Sequence, residues 1–136
     1  DLLEAHKQLV SKNNLVDGCY LRPLVFMGEG TMGISATDNP IHTAIMAWRW
    51  GAYLGDEGVK NGIRARISSF RRPSAAAMMT KAKITGQYVN SILAKREAMM
   101  AGYQESIMLD EKGHVCEATG MVAVSLQVSP YTVSVC

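Results

Sequence analysis

Apolar residues Leu2, Leu3, Ala5, Leu9 and Val10 recur at helical spacing, so the pattern predicts an amphipathic helix over 2–12. Asp1 stands where an N-cap belongs, and Asn13-Asn14 supply the stop. Residues 19–27 are rich in Tyr, Leu, Val and Phe and predict a strand. Pro23 lacks an amide donor, so an irregularity is expected there and a position away from the centre of a sheet. A second strand is predicted over 42–48. Between the two, residues 28–33 read Gly-Glu-Gly-Thr-Met-Gly and fit the Gly-x-Gly-x-x-Gly fingerprint of dinucleotide sites. That fingerprint needs a helix to open within it, whereas Ile-Ser-Ala-Thr-Asp-Asn-Pro follows, which is loop chemistry, and a dinucleotide site is rejected. A glycine-rich loop here is either a plain turn or a place where backbone approaches a ligand or a neighbouring subunit.

Trp50, Gly51, Ala52, Tyr53, Leu54 and Gly55 set aromatics among small residues, and Asp56-Glu57-Gly58 follows. The shift from apolar to glycine and acid marks a domain junction. Clefts form at such junctions, so Trp50 and Tyr53 are either core residues or the lining of a cleft. Over 62–70, Ile63, Ala65 and Ile67 alternate with Arg64, Arg66 and Ser68, the signature of a half-buried strand. Arg71-Arg72-Pro73-Ser74 ends it, which places both arginines at a strand end in water. The clearest helix is predicted from about Ile84 to Ala101. Tyr88, Ile92, Leu93, Arg96, Met99 and Met100 form its stripe, the methionines serve as core filler, and Gly102 is the stop. Two short strands, 106–109 and 114–117, are joined by Asp110-Glu111-Lys112-Gly113, a hairpin turn that places Glu117 at a strand end. The tail from Met121 to Cys136, rich in Val, Ser and Thr, predicts one or two strands around Pro130.

With 136 residues, the chain is long enough for one ordinary domain with a real core. A hydrophobic share of 48% against 19% charged residues is a globular balance and excludes a disordered tail. Net charge of +2, with no basic cluster beyond Arg71-Arg72, excludes the footprint of a nucleic-acid binder. Every apolar run is interrupted before the roughly 18 residues needed to span a membrane. Cys19, Cys116 and Cys136 are widely spaced and odd in number, which argues against a disulfide framework and against zinc, and predicts a reducing, cytoplasmic setting. His6, His42 and His114 show no ligand spacing. The first residues, Asp-Leu-Leu-Glu-Ala-His, resemble neither a signal peptide nor a translation start, so the sequence is expected to begin in mid-protein.

The chemistry centres on Lys81, Lys83 and Tyr88, a pair of amines and a phenol around one helix start. A lysine that attacks a carbonyl must be neutral, and a polar partner with partial burial favours that state. Around these residues stand, in order, Tyr20-Leu21-Arg22-Pro23-Leu24, the 28–33 loop, Trp50-Gly51-Ala52-Tyr53-Leu54-Gly55, Ser68-Ser69-Phe70-Arg71-Arg72, Thr80-Lys81-Ala82-Lys83, Tyr88-Val89-Asn90-Ser91 and Leu109-Asp110-Glu111-Lys112-Gly113. Together these stretches resemble the branched-chain amino acid aminotransferases, enzymes of fold type IV that depend on pyridoxal 5′-phosphate. The resemblance implies an α/β chain of the α+β type. It assigns 1–51 to the end of a small domain, 52–61 to an interdomain linker and 62–136 to the first half of a large cofactor-binding domain.

The same resemblance implies that Lys83 holds the cofactor as an aldimine and moves the proton, with Lys81 a bystander. It implies that Tyr88 hydrogen-bonds the cofactor's phenolic oxygen and that Glu117 faces its pyridine nitrogen. Tyr20, Trp50 and Tyr53 would wall a pocket for leucine, isoleucine or valine, and Arg22 would meet the distal carboxylate when glutamate is the amino donor. Gly33 and Ile34 would lie on a loop that reaches a neighbouring subunit, implying a homodimer. The reaction implied is amino transfer between branched-chain amino acids and 2-oxoglutarate. The alternatives are a D-amino acid transaminase, an aminodeoxychorismate lyase, or an inactive fragment serving as an interaction module. The chain departs from the family pattern at Arg49, where proline is usual, at Gln87, where asparagine is usual, and beyond Glu117.

Overall fold

The computed structural model describes residues 1–51, 53–120, 126–128 and 131–133. Ala52, Met121, Val122, Pro130 and Cys136, which figure in the sequence reading, lie outside the described residues. Helices and sheets are mixed along the chain in the predicted α+β manner, and the residues fall into two compact units, Asp1–Gly55 and Asp56–Cys136.

In the first unit, helix α1 spans Leu2–Lys12, and the Asp1 carboxylate accepts a hydrogen bond from the Leu3 amide as its N-cap. The Asn13 amide returns to Leu9 and ends the helix. Strands β1 (Tyr20–Met27) and β2 (Ile41–Trp48) pair antiparallel, from Tyr20 opposite Trp48 to Met27 opposite Ile41. The irregularity expected at Pro23 is absent, for Pro23 faces Ile45 in an unbroken register. A two-stranded ladder leaves each strand one open edge, where a missing N–H forfeits no ladder bond. The 28–40 connection is tied by the Gly28 amide to Pro40 and by Asn39, whose side chain accepts from the Thr31 amide at 2.9 Å and donates to the Thr31 carbonyl at 3.0 Å.

Helix α2 (Gly55–Asn61) forms within the stretch expected to be linker. Asp56 and Glu57 in its first turn and Lys60 in its last complement the helix dipole. Gly55 and Gly62 adopt positive φ of 70° and 76° at its two ends.

The second unit is built on a three-stranded sheet in the order β3-β4-β5. Strand β3 (Ala65–Ile67) runs parallel to β4 (Glu105–Leu109), and β4 pairs antiparallel with β5 (Val115–Ala118). Helix α3 (Tyr88–Met100) forms the crossover between the parallel strands and packs on β4. β3 is shorter than the alternation over 62–70 predicts, and its burial is reversed. Arg66 and Ser68 reach Glu97 on α3, while Ile67 is exposed. The covered face of this strand is therefore its polar one, because the groups meeting there are a carboxylate, two hydroxyls and a guanidinium that satisfy one another.

The stripe expected to bury α3 is also turned outward. Ser91, Ala94 and Ala98 are buried, while Ile92, Met99 and Met100 are exposed. Small side chains let the helix approach β4 closely, where Ser106 and Met108 are fully buried. A 3₁₀ turn, Thr85–Gln87, leads into α3, and Gly102 ends it at a φ of 78°. The β4–β5 turn follows the prediction. Asp110 Oδ1 accepts from the Lys112 and His114 amides, both at 2.8 Å, and Gly113 takes a φ of 90°. In the tail, β6 (Leu126–Val128) and β7 (Tyr131–Val133) pair antiparallel.

Candidate active site

Glu117 lies on β5 opposite Met108, and the register slips by one residue between Met108 and Leu109, which faces Val115. Cys116 is thus the extra residue of a β-bulge immediately before Glu117. Bulges re-aim neighbouring side chains and are frequent beside sites. Arg72 Nε stands 2.6 Å from Glu117 Oε1, and the guanidinium's other two nitrogens approach Gln87, at 3.4 Å to its carbonyl and 3.5 Å to its side-chain oxygen. Arg71 is exposed, as expected of a strand end, but Arg72 is largely covered. The Arg72 amide donates to Leu109, the Arg71 guanidinium donates to the Asp110 and Glu111 carbonyls, and Asn90 at the start of α3 donates to the Arg71 carbonyl. Arg72 escaped sequence reasoning because its burial arises from β4, the turn and α3 together, and no local period encodes that.

A cavity of about 400 Å³ opens beside this pair, lined among others by Arg72, Ser74, Thr80, Asp110, His114 and Glu117. The His114 amide holds the Asp110 carboxyl below its ordinary range. Burial opposes that shift, and the His114 ring and Lys112 amide add to it. Lys83 and Tyr88 are not in this lining. Lys83 lies on the loop before the 3₁₀ turn and is exposed, like Lys81; Tyr88 opens α3 and is partly exposed. Among the described residues, the side chains of Lys83 and Tyr88 have no hydrogen-bond or ionic partner. The loop itself is held by Gln87, which is buried and donates its side-chain amide to the carbonyls of Met79 and Ala82.

The first unit gathers the other candidates. The Tyr20 ring lies 4.5 Å from that of Trp50 and 5.0 Å from that of Trp48, centre to centre. Arg22 stacks 5.1 Å over the Tyr20 ring and donates to its hydroxyl at 2.9 Å. Trp48 joins this cluster without having been singled out in the sequence, where it read only as the last residue of a strand. Tyr53 is half-exposed and belongs to none of these ring contacts. Gly33 takes a φ of 121°, and the loop around it projects Met32 and Ile34 almost wholly into solvent.

The structure thus joins Glu117 and Arg72 at one cavity and leaves Lys83 and Tyr88 outside its lining. Residues 1–123 match the family model for amino-transferase class IV. The chain belongs to the class IV aminotransferase family. It is 44% identical over 120 residues to the branched-chain-amino-acid aminotransferase of Pseudomonas aeruginosa, a match covering 88% of this chain and 39% of that protein. Among solved structures, the Escherichia coli branched-chain amino acid aminotransferase superposes with a TM-score of 0.83 at 41% identity, over 88% of this chain and 39% of that one. A T.th. branched-chain amino acid aminotransferase with pyridoxamine 5′-phosphate gives 0.77 at 46% identity, with the same coverages. The class IV chain thus spans about two fifths of the length of the relatives it matches. The predicted fold type and family agree with these matches.

Proposed function

We propose that this chain carries the lysine, tyrosine and glutamate of a branched-chain amino acid transaminase that uses pyridoxal 5′-phosphate and passes amino groups to 2-oxoglutarate. The observation that carries the proposal is the likeness to branched-chain aminotransferases over 88% of the chain. The donor set fits the cofactor. Glu117 has one oxygen held by Arg72 and the other without a partner among the described residues, which suits a carboxylate that must accept a hydrogen bond from a ring nitrogen. Among the described residues, the Lys83 amine has no hydrogen-bond or ionic partner.

When bound, pyridoxal phosphate supplies an aldehyde that accepts an amino group and a ring that takes up the electrons of a carbon acid. In this reading Lys83 holds the cofactor and then, as a free amine, moves a proton at the α-carbon of the substrate. Tyr88 donates its phenolic proton to the cofactor's ring oxygen, and Glu117 fixes the ring nitrogen. Tyr20 and Trp50 offer apolar faces to a branched side chain, Tyr53 extends that wall, and Arg22 offers a guanidinium to the distal carboxylate of glutamate. The exposed loop at Met32, Gly33 and Ile34 is assigned to contact with a second copy in a homodimer. The spacing of the cysteines supports a cytoplasmic location.

Adding pyridoxal phosphate to the purified protein should produce the visible absorbance of a lysine-bound cofactor, and Lys83→Ala should abolish it. A band that survives that substitution refutes the assignment of Lys83. Formation of 2-oxo acid from leucine and 2-oxoglutarate, without activity on D-amino acids, separates this reading from its alternatives.

A further inference from the structure

We propose that Gln87 and Arg72 are positioning residues that couple the Lys83 loop to Glu117. This role rests on the reading of Lys83 and Glu117 as cofactor groups. Gln87 closes the 3₁₀ turn before α3 and is only 5% exposed. A buried primary amide with unused donors is destabilising, and both donors of Gln87 are used on one short segment, at the Met79 carbonyl and, at 2.7 Å, the Ala82 carbonyl. Lys83 follows Ala82 directly. Among the described residues, the loop backbone is otherwise held by hydrogen bonds that span two or three residues: Thr80 to Met78, Ala82 to Met79, and Ile84 to Ala82. Such turns do not fix a loop against the rest of a fold. The Gln87 side chain does, because its backbone belongs to the entry of α3.

Arg72 extends the connection. Its planar guanidinium touches Gln87 through both terminal nitrogens and Glu117 through Nε. A rigid fork cannot turn toward one partner without moving against the other. The Met79 and Ala82 carbonyls, the Gln87 amide, the guanidinium and the carboxylate therefore form one chain of contacts from β5 to the loop. Displacement of the loop would be felt as a change in the direction of Glu117, and the reverse also holds.

Hydrogen exchange in the cofactor-free protein tests the connection, with pyridoxal phosphate binding as a separate readout. Gln87→Leu keeps the bulk and removes the amide. The amides of Thr80, Ala82 and Ile84 should then exchange on the order of tenfold faster, the loss expected from one or two hydrogen bonds, while those of β4 are unchanged. Gln87→Asn, shorter by one methylene, should fall between. Arg72→Lys removes no hydrogen bond between Arg72 and the 79–84 loop, because the Arg72 bonds among the described residues go to Leu109, Gln87 and Glu117. Yet it should also speed exchange there and raise the pyridoxal phosphate concentration for half-maximal visible absorbance by roughly tenfold. Loop exchange unchanged in Arg72→Lys overturns the coupling. Uniform acceleration across α3 and β4 in Gln87→Leu makes Gln87 a general support of the fold and also overturns it. A visible band that persists in Lys83→Ala removes the underlying reading instead, whatever the exchange shows.

Discussion

Arg72 and Glu117 form the shortest ion pair among the described residues, at 2.6 Å, with side chains 15% and 30% exposed. Such a pair lies between a surface bridge, worth little, and a buried one whose halves cannot be separated without leaving a stranded charge. A double-mutant cycle of Arg72→Met and Glu117→Gln, read by urea unfolding of the cofactor-free protein, should give a coupling of about 1–2 kcal/mol. A coupling near zero would mean that water screens the pair as it does any surface contact.

Glu105 is a second anchored carboxylate, and a more deeply placed one. It is 3% exposed and accepts from the Ser106 amide at 2.7 Å, from Lys95 Nζ at 3.0 Å and from the Thr119 hydroxyl. Burial pushes its carboxyl up, but the hydrogen bonds from Thr119, Ser106 and Lys95 and the lysine's charge outweigh burial and hold it below its ordinary value. Glu105→Ala takes the carboxylate away from the Ser106 amide and the Thr119 hydroxyl, both on buried residues, while Lys95 keeps its bond to the Gln104 carbonyl. The loss should be about 3 kcal/mol in urea unfolding. A loss under about 1 kcal/mol would show that water enters and replaces the carboxylate.

Acid should unfold the second unit for a reason visible in three carboxyls. Glu97 is held down first by the Ser69 hydroxyl, then by the Ser69 amide and Ser68 hydroxyl, with Arg66 adding to it against burial. Asp110 and Glu105 are lowered by the contacts already described. Each folded carboxyl thus takes up its proton at lower pH than in the unfolded chain, where the ordinary values are 4.5 for glutamate and 3.8 for aspartate. Their contribution is complete above those values and is lost as pH falls through the lower folded ones. The urea midpoint should therefore be flat from neutrality to about pH 5 and fall steeply below about pH 4. Ser69→Ala should flatten that fall, and an unchanged slope would remove Glu97 from the account.

What the sequence discloses here are the features with local causes. Asp1 caps α1 by its own position, and the Asp110 to Gly113 turn is written in the residues that make it. The features that long-range packing creates were not legible. The buried face of α3 is its small-residue face because β4 lies close, and Arg66 rather than Ile67 is covered because Glu97 waits across the crossover. Arg72 and the bulge at Cys116 belong to the same class, for each depends on partners about forty residues or more away, or on strand register. Gln87 departs from the family pattern, but its two bonds to the loop have no signal in the one-dimensional pattern.

The glycine-rich loop of the first unit permits a sharp comparison between two of its glycines. Gly30 has a φ of 152°, and a Cβ there would run into the Asn39 side chain, whose bonds to Thr31 close the loop. Gly33 has a φ of 121°, but a Cβ there meets nothing. Gly33→Ala carries the backbone penalty alone, of about 1–3 kcal/mol. Gly30→Ala carries a similar penalty and also displaces Asn39, so the Thr31 amide loses its acceptor. The two variants should differ in unfolding free energy by about 1 kcal/mol or more, with Gly30→Ala the less stable. Combining Gly30→Ala with Asn39→Ala should add little further loss, because the second change removes the side chain that the first had already displaced. Full additivity would show that Asn39 moves aside without releasing Thr31, and that the loss in Gly30→Ala is backbone strain alone.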